Sequence, residues 1–184
     1  TYLFSADLLA NLEAENEVLL SLECNDKCLF PIPKKFSDES YLKVVKIDGE
    51  QHICRMLAFI DENFLAEVSH SHALLASFGG FLAELNLQLQ KTTSYALQAR
   101  ECEWDLQYYH FSLAYIKDIP NAQERSIVEY FYQQFEVHVL PRISKFRRQI
   151  IHGDYNEGNV LVKNNRVVGV IDFGDVTYAP WFMN

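Results

Sequence analysis

The sequence predicts an α+β fold in two parts: a helix beside a small antiparallel sheet over residues 1–62, then a mainly helical segment over residues 63–184. Three observations predict it. Leucines recur at helical spacing near the start, two strand-like runs meet at Asp48-Gly49, and long apolar helical runs take over after Asp61-Glu62-Asn63.

Leu8, Leu9, Leu12, Leu19 and Leu22 recur with carboxylates between them, which predicts a helix over 5–22. Pro31 and Pro33 then enforce an extended stretch. Tyr41 to Ile47 and His52 to Phe59 read as strands joined by a hairpin turn at Asp48-Gly49. Ala73 to Leu89 is a long apolar helix containing Gly79-Gly80, glycines whose expected use is close helix packing, because no strand precedes them as a phosphate loop would need. A polar stretch from Lys91 to Glu101 leads to Trp104-Asp105-Leu106 and to Tyr108, Tyr109, Phe111 and Tyr115, read as core packing under a loop. Gln123 to Phe146 is a further helix, interrupted near Pro141.

Length and composition bound the function. The 184 residues make one domain or two small lobes, and 49% apolar residues suffice for a core. A net charge of −9 argues against a nucleic-acid partner and suits a cationic small molecule. No apolar run approaches the roughly 20 residues that span a bilayer, so no membrane partner is expected. The first 22 residues carry Asp7, Glu13, Glu15 and Glu17 without a basic flank, unlike a secretion signal, and a cytoplasmic location is expected. Cys24 and Cys28 could supply half of a metal site, but no second close pair completes it, so neither zinc nor a disulfide is expected.

Chemistry concentrates between Ile150 and Asp175. Asn164-Asn165 tolerates the positive φ of a tight turn between two apolar strands. A two-residue turn there pairs Lys163 with Arg166, Val162 with Val167 and finally Asn159 with Val170. Asp172, two residues on, then shares a face with the residue opposite Asn159, and the amide and carboxylate converge to hold a hard cation such as Mg²⁺. Asp154 enters the same hairpin, where a carboxylate could orient or deprotonate a substrate hydroxyl.

The spacing His152-x-Asp154-x4-Asn159, a hairpin, then Asp172-Phe173-Gly174 resembles the kinase catalytic loop and metal-binding aspartate. Gly153 stands where protein kinases usually have arginine. His-Gly-Asp is similar to the aminoglycoside phosphotransferase and choline kinase superfamily. Gln149 to Asn159, Gly169 to Asp175 and Ala179-Pro180 resemble its branch of hydroxylysine kinases and aminotransferase-fused kinase domains. Weaker echoes are Leu12-x-x-Glu15-Asn16, Pro31-x-Pro33, Arg55-Met56-Leu57 and Trp104-Asp105-Leu106.

The resemblance implies a protein-kinase-like two-lobe fold and ATP-dependent phosphorylation of a hydroxyl on a small amino-bearing molecule, hydroxylysine or amino-alcohol-like or aminoglycoside-like. It makes Asp154 the catalytic base, Asn159 and Asp172 the Mg²⁺ ligands, and His152 a brace of the loop. Met56, Leu57 and Phe59 would line the adenine site, with GTP as the alternative nucleotide. Asp175 would contact a second metal, the water shell of the phosphates or the substrate ammonium.

Relative to that family the chain starts at the helix that follows the nucleotide-clamping lysine, and Glu15 matches the helix partner of that lysine. It ends where another helix begins, with Asn184 in place of an aspartate. The expectation is a fragment lacking the first N-lobe strands and the last C-lobe helices, with a fused aminotransferase domain as one full-length context. The rival expectation is a non-catalytic nucleotide- or partner-binding module on a degenerate kinase fold.

Overall fold

The computed structural model describes residues 1–102 and 105–184, so Trp104 lies outside the described residues. The chain opens with a two-residue strand β1 (Tyr2–Leu3), too short to carry a sequence period. Helix α1 (Ala6–Ser21) follows, its first turn capped by Ser5, whose side chain accepts from Leu8 N. Short β2 (Pro33–Lys34), β3 (Leu42–Ile47) and β4 (Glu50–Leu57) complete the first sheet, in which β4 pairs antiparallel with β1, β2 and β3. The β3–β4 turn sits on Asp48 and Gly49, both at positive φ, as the twist of a two-residue hairpin demands.

Strand β5 (Asn63–Phe64) pairs with the second hairpin rather than the first sheet. Helix α2 (His72–Leu89) is capped by Ser71, and short helices α3 (Tyr95–Ala99) and α4 (His110–Leu113) precede α5 (Ala122–Gln134). After α5 the helix widens to a π-turn over Phe135–Val139 and tightens to 3₁₀ geometry over Leu140–Lys145. The single kinked helix expected over 123–146 is therefore three helical forms. Pro141 lacks an N–H and clashes with the preceding turn, so regular α-geometry gives way before it.

Strands β6 (Arg148–Ile151), β7 (Val160–Lys163), β8 (Arg166–Val170) and β9 (Thr177–Pro180) end the chain. β6 pairs with β9, and β7 with β8. The turn is the expected Asn164-Asn165, both at positive φ, and Lys163–Arg166 and Val162–Val167 pair as the sequence suggests. Beyond them the register slips. Leu161 faces Gly169 and Val160 faces Val170, leaving Val168 as a bulge, so Asn159 does not oppose Val170; its carbonyl accepts from Ile171 N at 2.9 Å. The cause is a third segment. Leu29 lies along β8, donating to the Val168 carbonyl at 2.7 Å and accepting from Val170 N. Gly169 permits this approach, since a Cβ there would stand 2.8 Å from the Leu29 carbonyl oxygen.

One apolar core joins both parts. Val18 and Leu19 of α1, Phe30, Leu74, Leu85 and Leu89 of α2, and Val160 and Val170 of the hairpin belong to it. Ser71 donates to Asn165 and Ser77 accepts from Val167 N, tying α2 to the hairpin. Gly79 and Gly80 serve no close packing: nothing lies within 4 Å of a Cβ placed at either. Among the described residues no helix is long and apolar enough to cross a membrane.

Candidate active site

The loop between β6 and β7 is built around a buried histidine. His152 is fully buried, and its Nδ1 accepts from Asp154 N at 3.2 Å. The ring proton therefore sits on Nε2, which donates to the Ile171 carbonyl at 3.0 Å. Burial lowers the imidazole pKa against the opposing effect of the Ile171 bond, which keeps the ring neutral. His152 also meets Phe173 edge-on at 4.7 Å. One ring thus links the Asp154 loop to the segment that leads into Asp172.

Gly153 turns the loop at φ +87°, and a Cβ there would collide with the Asp175 carbonyl oxygen. Arginine at this position is excluded by contact as well as by torsion. Gly153→Ala is expected to destabilise the fold by about 2–4 kcal/mol, combining the positive-φ cost with overpacking. The shift of the urea midpoint measures it.

Asp154 holds two amides. Asn156 Nδ2 donates to Oδ1 at 2.7 Å and Asn159 Nδ2 to Oδ2 at 2.7 Å. With its nitrogen so engaged, Asn159 turns its Oδ1 away, and among the described residues that oxygen accepts no hydrogen bond. Asp172 occupies a left-handed φ of 60°, and its Oδ1 accepts from Gly174 N, while among the described residues its Oδ2 accepts no hydrogen bond. Two unclaimed oxygens, one amide and one carboxylate, suit a hard cation. Mg²⁺ commonly takes one or two protein oxygens and fills its remaining positions with phosphate and water. Among the described residues no group of three or more His, Cys, Asp or Glu side chains is placed to hold a metal alone.

Two cavities flank this loop, and the Asp172–Asp175 turn presents a carboxylate to each. The first, of about 440 Å³, is lined by Arg55, Leu57, Phe59, Leu161, Ile171 and Asp172. Of Met56, Leu57 and Phe59, the structure places Leu57 and Phe59 on this cavity wall and leaves Met56 off it. Strand alternation sends Arg55 and Leu57 to one face and Met56 to the other. The second, of about 240 Å³, is lined by Asp154, Asn156, Asp175, Cys102, Asp105 and Asn184. Asn184 accepts from Gly153 N at 3.1 Å and donates to Asn86, which fastens the chain end to the loop. The Asp175 carboxyl is pushed up by burial and then by the nearby Asp154 charge, with Arg100 opposing.

The second cavity adjoins a third of about 630 Å³, which shares Asp105 and Leu106 with it. Tyr109, Phe111, Tyr115, Phe131, Tyr132 and Phe135 line it. Of the aromatic group expected as core packing, Tyr109, Phe111 and Tyr115 instead line a cavity wall, and Tyr115 is 68% exposed. The rings still touch across the wall: Tyr109 lies 5.7 Å from Tyr132 and 5.2 Å from Phe135, centroid to centroid.

Glu15 lies deeply buried on α1 and faces two arginines. Arg55 Nη1 of β4 is 2.8 Å from Glu15 Oε2, and Arg100 Nη1 is 3.9 Å from Oε1. Burial raises the Glu15 pKa, and Arg55 is the main opposing influence. Arg100 also donates to the carbonyls of Gly174 and Val176, holding the turn after Asp172. Sequence reading missed Arg100 and Asn156, since neither belongs to a spaced motif. It noted Arg55 only as part of a three-residue echo.

Residues 4–183 match the phosphotransferase enzyme family. The chain is 27% identical over 186 residues to hydroxylysine kinase of Mus musculus, covering 91% of this chain and 49% of that protein. The chain thus spans about half the length of that relative. Its fold superposes on a microcompartment-associated aminopropanol kinase with a TM-score of 0.70 at 20% identity, covering 94% of this chain and 56% of the other. An amicoumacin kinase in complex with AMP-PNP and Ca²⁺ gives a TM-score of 0.65 at 13% identity, over 97% and 51% of the two chains. The α+β, kinase-like architecture expected from the sequence is the one these structures share. With its loop, its glycine and its hairpin in place, the chain belongs to the phosphotransferase enzyme family.

Proposed function

We propose that the full-length protein transfers the γ-phosphoryl group of ATP to a hydroxyl of a small amino-bearing molecule, with residues 1–62 and 63–184 forming the two lobes around the cleft. The observation that carries the proposal is the Asp154 carboxylate, held at both oxygens in an acidic cavity beside Asn159 and Asp172. The Arg55–Ile171 cavity is the proposed nucleotide site, with Leu57 and Phe59 beside the base. The hydroxylysine kinase and aminopropanol kinase likenesses support an amino alcohol as acceptor.

In this reading Asn159 and Asp172 would hold Mg²⁺, which would supply neutralisation of phosphate charge. Asp154 orients the acceptor hydroxyl and takes its proton as the oxygen bonds to the γ-phosphorus and the β–γ bridging bond breaks. His152 keeps the loop in register with the Asp172 turn. Asp175 and Asp105 give the acceptor cavity its negative charge, which favours an ammonium group.

The test is Mg²⁺-dependent ADP release by the full-length protein across a panel of amino alcohols, hydroxylysine and aminoglycosides. Acceptor-dependent release is the expected result. Absence of both turnover and Mg²⁺-nucleotide binding would overturn the proposal and leave a non-catalytic module as the better account.

A further inference from the structure

We infer that Asn156 is a positioning residue that sets the orientation of the Asp154 carboxylate; the inference rests on the phosphotransfer reading above. A carboxylate turns easily about its last torsion, which is broad rather than confined to staggered wells. Asp154 is held against that rotation from two sides, by Asn156 at Oδ1 and Asn159 at Oδ2. Asn159 alone would leave one oxygen unheld.

Asn156 cannot turn its amide over. Its Oδ1 accepts from Gly158 N at 2.7 Å, so a flip would lose that bond and set an amide oxygen against a carboxylate oxygen. The backbone closes the same ring. Asn156 N donates to the Asp154 carbonyl and Asn159 N donates to the Asn156 carbonyl, both at 3.1 Å. Asp154, Asn156 and Asn159 thus form one cyclic unit in which the base and a proposed metal ligand share a support. The remaining lone pairs of Asp154 are left to the acceptor cavity, which Asp154 and Asn156 both line. Asn156 acts through Asp154, and its removal loosens the alignment on which transfer depends. A misplacement of the base by about 1 Å costs up to about 100-fold in rate.

The experiment is a double-mutant cycle on the full-length protein, read by single-turnover phosphoryl transfer. Asn156→Ala is expected to lower the rate by about 10- to 100-fold, with nucleotide KM and melting temperature near wild type. In an Asp154→Ala background the same change is expected to alter the rate by less than about 2-fold, since the residue it positions is gone. Equal losses in both backgrounds would overturn the inference. A second readout is independent of turnover: the Asn156 side-chain NH₂ resonances are expected to move on Asp154→Ala. Unmoved resonances would overturn the inference even in a protein that fails the acceptor panel, whereas moved resonances in such a protein would leave the arrangement standing and only the reaction refuted.

Discussion

Asp154→Asn in the full-length protein is expected to lower kcat by about 10²- to 10⁴-fold, the usual contribution of a positioned general base. The substitution removes the charge and the proton acceptor while keeping the shape. It also introduces a conflict. Both Asp154 oxygens accept side-chain amides, and an NH₂ in place of either would meet another NH₂ donor at about the 2.7 Å now observed. Asn156 is anchored through Gly158 N, so Asn159 is the partner that yields. If Asn159 flips, it offers a nitrogen where an oxygen is proposed to meet Mg²⁺. Asp154→Asn is therefore expected to weaken Mg²⁺-nucleotide binding as well, and Asp154→Ala, which presents no donor, is expected to weaken it less. Comparing kcat and nucleotide affinity for the two variants checks both parts. Wild-type turnover in either variant would remove Asp154 from the mechanism.

Arg55→Met is expected to destabilise the protein by about 3–5 kcal/mol, because it leaves a buried carboxylate short of its main partner. The side chains of Arg55 and Glu15 are only 9% and 4% exposed. Arg100, at 3.9 Å and already bonded to two carbonyls, replaces little of the lost attraction. Adding Glu15→Leu to Arg55→Met is expected to restore most of the stability, since an apolar pair of similar volume often matches a buried ion pair. Chemical denaturation of the singles and the double measures the recovery. Activity supplies the contrast. If Glu15 and Arg55 serve the neighbouring nucleotide cleft, the double variant folds like wild type but binds Mg²⁺-nucleotide poorly. If it binds normally, the pair is structural.

The His152–Asp172 loop and hairpin were readable because their demands are local. His152, Asp154, Asn159 and Asp172 occur at spacings that one loop and one hairpin impose, and the Asn164-Asn165 turn follows from φ preferences alone. Other features required distant chain. Val168 bulges because Leu29, far earlier in sequence, occupies the edge of β8. Gly153 matters beyond its torsion because the Asp175 carbonyl lies against it. Met56 stands off the Arg55–Ile171 cavity because strand phase decides which side chains face it.

Sequence by itself determined the α+β class, the helix and hairpin order, the family likeness and the spacing of Asp154 and Asp172 about one hairpin, since periodicity, turn chemistry and motif spacing are properties of neighbouring residues. Only the tertiary structure decided which charges meet. Glu15 faces arginines from β4 and from the segment after α3, Arg100 secures the Asp172 turn, and Asn156 reaches Asp154 rather than solvent. The physical reason is that buried charges and amides must find partners wherever packing places them, and packing is set by contacts that no local pattern encodes.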